Sequence, residues 1–392
     1  MARKGEKSII FLGAGTHMVT DIYASFIVGM IPVLTAKLGL SLFLVSTLTA
    51  VNFISANLSQ PLFGYLSDKY GMKKFLVLGP LMASVFISLL GLAPSYWVIL
   101  ICLFLGNLGV AAIHPPSAAT AAYFGGSRRG LANSVISFGG SLGFSVGSIF
   151  IIFIIEKLGL AFTPLASLPG IITAAIVMKY ARETGVSRER QDSPGFFSKL
   201  KTVKKQKLIL LLLVILVAYF RELMNVTLIT FMPLYLTGQG VGLLDFGFIF
   251  MAFVMIGGLG GLAAGYYSDR MTKRHVFIQV LLFLSIPCVY AIFLVPVNAG
   301  IALFLLYGLL SIPTLPLCNR LAQDIFPRNA GLAASFTIGV AAGSAAASLL
   351  LVGKAADIIG LVNTIRYVSI LPLIGVVLLF LFPSVISRNG KE

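Results

Sequence analysis

The sequence predicts an all-α membrane protein: twelve transmembrane helices in two six-helix, pseudo-symmetric bundles. Three observations carry that expectation. Of 392 residues, 58% are hydrophobic and 11% charged, with a mean hydropathy of +0.99, which leaves too little polar surface to solvate a globule of this length. Apolar runs of about 20 residues, each long enough to cross a hydrocarbon core of about 30 Å as a helix, recur along the whole chain. The two halves of the sequence also repeat one another at a constant offset.

The runs place crossings at residues 9–35, 41–66, 75–93, 96–121, 131–155, 160–180, 208–237, 243–267, 276–295, 299–323, 331–356 and 363–385. They are apolar on every face and lack the alternating, roughly ten-residue segments of a membrane β-barrel. The opening MARKGEKSII has the charged start of a signal peptide, but no small-residue cleavage site closes the apolar stretch after it, so it reads as part of the first transmembrane helix.

A net charge of +16 would suggest nucleic acid in a soluble protein, but the placement of the basic residues points elsewhere. Of the 29 Lys and Arg residues, all but Lys37, Lys157, Lys354, Arg366, Arg221 and Arg320 fall on one side of the predicted crossings. Basic loops stay in the cytoplasm. The pattern therefore predicts a multi-pass protein of the cell inner membrane with both termini cytoplasmic, its basic loops facing an anionic leaflet, and no nucleic-acid partner. Cys102, Cys288 and Cys318 stand singly in apolar segments; they read as small buried hydrophobes, with no metal site or disulfide expected.

Adding 201 to a position in the first half lands on its counterpart in the second. Pro32 maps to Pro233, GYLSD (64–68) to GYYSD (265–269), Pro115 to Pro316, and GLANS (130–134) to GLAAS (331–335). Basic residues follow both GY-x-SD segments on the same side, so the repeat is parallel and each unit holds an even number of crossings. The expected organisation is an N-terminal bundle over 1–180, a basic cytoplasmic linker over 181–207 and a C-terminal bundle over 208–392. The linker spaces Phe196, Phe197, Leu200 and Val203 among lysines, which fits either a short helix on the anionic leaflet or a solvated tether.

GYLSDKYGMKK, between the second and third crossings, resembles the loop signature G-x-L-x-D-R-x-G-R-R/K of the major facilitator superfamily, with Lys69 and Met72 in place of two arginines. A degraded echo runs from Gly265 to Arg274, where Met271 and Thr272 replace the usual pattern. Within that superfamily the chain is most similar to the fosmidomycin-resistance branch of drug exporters, over essentially its full length. HMVTD (17–21), GNLGVAAIHPPSAATAA (106–122), SRRGLANSVISFGGSLG (127–143), FRELMNVTLITFMPLYL (220–236) and Gln323 to Pro327 carry the likeness; Ser148 stands where such exporters often close a glycine motif with proline.

The resemblance implies a central cavity lined by the first, fourth, seventh and tenth helices. It also implies a cytoplasmic latch, formed by Gly64, Asp68, Gly71, Lys73, Arg128, Arg129 and Asp269, that holds the outward-facing state. In that latch Asp68 would accept hydrogen bonds from helix N-termini or pair with Arg128 or Arg129.

Ionisable groups near the centre of a membrane helix cost about 2.5–3.5 kcal/mol each on insertion scales, so the few present here demand a role or a partner. His17 and Asp21 lie four apart and so on one helical face, where an imidazole and a carboxylate can share a proton. His114 precedes Pro115 and Pro116, which are expected to break the fourth helix locally and free backbone carbonyls. Arg221 and Glu222 fall midway along the seventh helix, and as sequence neighbours they are not expected to share a face. Asp21, His17, His114 and Glu222 are the candidates for proton coupling, and Arg221, Asn52, Asn225 and Arg320 for substrate binding. Arg221 would attract an anionic group, whereas Asn52, Asn225 and Arg320, the last with Asp324, have structural roles as alternatives.

No G-x-x-x-x-G-K-[ST] loop occurs, which excludes a built-in ATP motor of that kind, and no HExxH or GxSxG pattern suggests an enzyme. The expected function is secondary active transport by alternating access. Its first form is proton-coupled antiport exporting a small drug or metabolite, anionic or phosphonate-like, by a monomer without cofactor. The alternative is proton symport or facilitated uptake of a small organic solute.

Overall fold

The computed structural model describes residues 4–124, 129–181, 205–268, 270–271, 273–326 and 330–387. Among them every regular element is helical, and twelve helices are long and apolar enough to cross a membrane. We number them α1 (Ser8–Leu38), α2 (Leu42–Tyr70), α3 (Met72–Leu92), α4 (Tyr96–Ala121), α5 (Leu131–Leu158), α6 (Leu160–Tyr180), α7 (Lys205–Gly238), α8 (Leu243–Tyr267), α9 (Arg274–Ile292), α10 (Val297–Ile325), α11 (Thr337–Ile359) and α12 (Leu361–Phe382). The twelve predicted crossings are all present. Several run longer than hydropathy alone marked them, because polar turns such as that ending at Tyr70 continue the helix beyond the apolar run.

Breaks within the helices have local causes. In α1 the helix is interrupted at Ser25, whose hydroxyl donates to the Ile22 carbonyl. Helix α10 breaks at Ile312–Pro313, where the proline supplies no N–H. The expected break at Pro115–Pro116 is not there. A single helix runs from Tyr96 to Phe124 through both prolines: a helical φ suits the proline ring, and the packing of α4 in its bundle outweighs the lost hydrogen bonds and the ring's clash with the carbonyl one turn earlier. Among the crossings that end on glycines with positive φ are α1, at Gly39, and α2, at Gly71 before α3, a conformation in which a side chain would collide with the backbone.

The chain forms two compact units. The first comprises Met1–Val186 with Met232–Met255, the second Ser187–Phe231 with Ile256–Glu392. In the first, α1 is the central helix, with Tyr23, Phe26, Ile27, Met30, Ile31 and Leu34 all buried. The Tyr23 hydroxyl donates to the Ala166 carbonyl (2.8 Å) and accepts from the Gly170 amide (2.9 Å), tying α1 to α6 with a fully satisfied buried phenol.

The second unit packs Val214, Val217 and Ala218 of α7 against Ile278 and Leu282 of α9 and Leu317, Leu321 and Ala322 of α10. Large apolar side chains such as Phe11, Trp97, Leu351 and Phe380 are strongly exposed, as they are when lipid rather than water is the solvent.

Lys37, at the end of α1, donates through Nζ to the carbonyls of Gly91 (3.1 Å) and Ala93 (3.3 Å) at the end of α3. A cation at a helix C-terminus also meets the negative end of its dipole. Lys37→Met should therefore lower stability by about 1–2 kcal/mol, read as a drop in the melting temperature of the detergent-solubilised protein with transport preserved.

Candidate functional site

The first site is built on α1, α4 and α5. The four-residue spacing on α1 brings His17 Nε2 within 3.3 Å of Asp21 Oδ2. Helix α4 contributes His114, whose Nδ1 lies 3.1 Å from the same His17 Nε2, while its Nε2 lies 3.9 Å from Asp21 Oδ1. The two imidazoles meet edge to face, with ring centroids 4.7 Å apart. The side chains of His17 and Asp21 are about nine-tenths buried and that of His114 is 28% exposed. Asp21 Oδ1 and His17 Nδ1 are buried with no hydrogen-bond partner among the described residues.

Helix α5 makes room for this cluster by having no side chain where it passes. A Cβ on Gly140 would stand 2.7 Å from Asp21 Oδ2 and 2.8 Å from His17 Nε2. Gly139, Gly143 and Gly147 continue the groove, and their Cβ atoms would meet the carbonyl oxygens of Ala14, Met18 and Ile22 at 2.4, 2.0 and 2.0 Å. The GGSLG glycines thus serve close helix packing, and Gly140 also shapes the polar site.

A single position, His17 Nε2, faces both a carboxylate and a second imidazole. Three groups can therefore hold a varying number of protons while remaining in contact. The donor atoms lie within 4.8 Å of one another, a spacing a chelated cation would also need. The closest pair of nitrogens also lies within hydrogen-bond distance, so the two imidazoles can share a proton.

The second site lies on α7. Arg221 and Glu222 are 4% and 6% exposed and form an ion pair with each other through Nη1 and Oε2. This corrects the expectation that neighbours on a helix would look to different partners. The arginine side chain is long enough to curl around the helix, and in so apolar a setting the adjacent charge is the cheapest partner. Arg221 Nε also donates to the Ser311 carbonyl (3.1 Å) at the break in α10, which accepts from Thr314 Oγ1 as well. Asn225 is buried one turn further along α7, its Oδ1 without a partner.

The other candidates are placed as follows. Asn52 donates to the Ala24 carbonyl (3.2 Å) and accepts from Asn107 Nδ2 (2.8 Å), which links α1, α2 and α4. Asn107 escaped the sequence reading, although an isolated amide in GNLG was the available signal. Arg320 is half exposed and pairs with Asp324, which Arg274 also holds.

Of the latch residues, Gly64 passes Pro115 with room for a Cβ, Gly71 makes the α2–α3 turn, and Lys73 begins α3. Asp68 is exposed and has no partner among the described residues. Arg128, Asp269 and the side chain of Arg129 lie outside the described residues, as does most of the linker. The repeat survives in side-chain geometry here: Lys69 lies over Tyr65 and Tyr70, and Arg270, offset by 201, over Tyr266.

The family model described as Major Facilitator Superfamily matches residues 13–337. The chain belongs to that superfamily. This major facilitator is 26% identical over 373 residues to the uncharacterised MFS-type transporter YfnC of Bacillus subtilis, covering 94% of this chain and 91% of that protein. It is 24% identical over 386 residues to the fosmidomycin resistance protein of Escherichia coli, covering 96% and 94%. Among solved structures, a bacterial homolog of the human lysosomal transporter Spinster, in an inward-facing and unoccupied conformation, superposes with a TM-score of 0.81 at 15% identity, covering 99% of both chains. The chain is accordingly a multi-pass membrane transporter of small molecules with the major facilitator fold, a family of transporters rather than enzymes.

Proposed function

We propose that this transporter is a proton-coupled antiporter of the inner membrane that exports a small anionic or phosphonate-like drug or metabolite by alternating access. In this reading the halves 1–180 and 208–392 move against each other, both termini face the cytoplasm, and the protein acts as a monomer. The observation that supports it most is the placement of Asp21 against His17 and His114 inside an apolar bundle.

Two neutral imidazoles and a carboxylate carry one negative charge; one added proton makes the group neutral wherever it rests among the three. Sealing a net charge in low dielectric costs several kcal/mol more than sealing a neutral group. The change of state is therefore easiest with the proton bound, and a proton gradient can drive it. Arg221 on α7 supplies the fixed positive charge that draws an anion. Gly64, Asp68, Gly71, Lys73, Arg128, Arg129 and Asp269 form the cytoplasmic latch.

The test is transport in reconstituted vesicles with an imposed pH gradient, using fosmidomycin as the first solute because of the relative named for resistance to it. Counterflow of protons and solute is expected. Solute flux that ignores the gradient would remove the coupling assignment. A second reading, proton-linked uptake of an anion, draws support from the Arg221–Glu222 pair.

A further inference from the structure

Arg221 has a partner but not a full set of them. Of the five N–H groups of a guanidinium, the described residues engage two, through Ser311 and Glu222. The remaining donors belong to a side chain that is 4% exposed as a whole. Asn225 is four residues from Arg221 and three from Glu222, hence on the adjoining face, and its buried Oδ1 is an acceptor with nothing to accept. From the neighbouring helix α10, the ionisable groups Tyr307 and Cys318 lie near this pair, Tyr307 by both members and Cys318 by Arg221. Neither bears a charge that could replace either partner.

We propose that Glu222 is a stand-in for the substrate. A monoanionic oxyanion bearing a hydroxyl takes its place on Arg221, the hydroxyl donates to Asn225 Oδ1, and Glu222 leaves as the neutral acid. The balance is simple: one anion enters, one O–H bond forms on the Glu222 carboxyl with a proton from solution, and the buried charge stays at zero. Without that proton the site would hold one positive and two negative charges, and burial penalises the excess heavily. Each anion bound therefore brings one proton with it. The proposal rests on the carrier reading with Arg221 as anchor, and it bears on direction. A proton travelling with the anion on α7 is a co-transport element, so net antiport would require the His17–Asp21–His114 cluster to move more than that one proton the other way.

The test uses the full-length protein in detergent and isethionate, a sulfonate with a hydroxyl that stays monoanionic across the working range, so that any pH dependence belongs to the protein. By calorimetry from about pH 6 to about pH 8, isethionate affinity should fall about tenfold per pH unit, the slope for one proton taken up on binding. Ethanesulfonate, which lacks the hydroxyl, should bind more weakly. Glu222→Gln should flatten the slope and bind about tenfold or more tightly than wild type at the alkaline end, since no carboxylate competes for Arg221. Arg221→Lys, which keeps the charge but loses the fork, should weaken binding and retain the slope.

Binding of isethionate that does not vary with pH, a slope that survives in Glu222→Gln, or no isethionate binding at all overturns the proposal. Coupling through Asp21 is read separately as proton-driven flux, so either assignment can fail while the other stands.

Discussion

Asp21→Asn is expected to reduce proton-driven solute flux in vesicles to the protein-free background. The amide is isosteric with the acid, so helix packing around it is preserved. It cannot take up a proton at neutral pH, however, and it withdraws the negative charge that holds a proton near His17 and His114. The cluster then no longer switches between a charged and a neutral state, and the free-energy difference that links proton occupancy to the conformational change disappears. A buried side chain with altered hydrogen bonding costs about 1–3 kcal/mol, so some loss of thermal stability should accompany the loss of coupling while the protein stays folded. Full pH-driven transport by this variant would sink the assignment.

Gly143→Ala is expected to have the largest effect on stability. Its Cβ would lie 2.0 Å from the Met18 carbonyl oxygen, and because the obstacle is backbone, no side-chain rotation relieves it. Helices α1 and α5 would have to separate, which costs the order of 3 kcal/mol in a well-packed core and opens contacts along the whole groove. The measurement is the melting temperature and yield of folded protein in detergent. Gly15→Ala, with nothing within 4 Å of its added methyl, is the matched control and should melt with the wild type or slightly above it, since alanine favours the helix. A melting temperature for Gly143→Ala equal to that of the control would mean that the two helices are not so tightly apposed.

Much of the architecture was legible before any coordinates. The length of apolar runs depends only on the thickness of the bilayer, so all twelve crossings could be read directly. The His17–Asp21 contact was legible for a similar reason, because residues four apart on a helix meet whatever the tertiary structure. His114 is different. Its presence in the membrane was visible, but its approach to His17 depends on how α4 packs against α1, and that is decided by buried residues far apart in sequence, Asn52 and Asn107 among them.

Two local rules misled. Proline was expected to break α4, yet a helix tolerates it when the surrounding bundle over-determines its path. Sequence neighbours were expected to diverge on α7, yet Arg221 and Glu222 converge, since the described residues offer neither of them another ion pair. In both cases a tertiary constraint outweighed a preference measured on isolated helices.

The framework that carries the proton cluster is itself pinned by the amides of Asn52 and Asn107 and the phenol of Tyr23. Amides neither gain nor lose protons over the physiological range, and a phenol holds its own well above it. In the proposed reading, acidification therefore acts on the His17–Asp21–His114 cluster and on Glu222, while these pins between helices keep their protonation. The bundle can register a shift in acidity cycle after cycle without its own fastenings being rewritten.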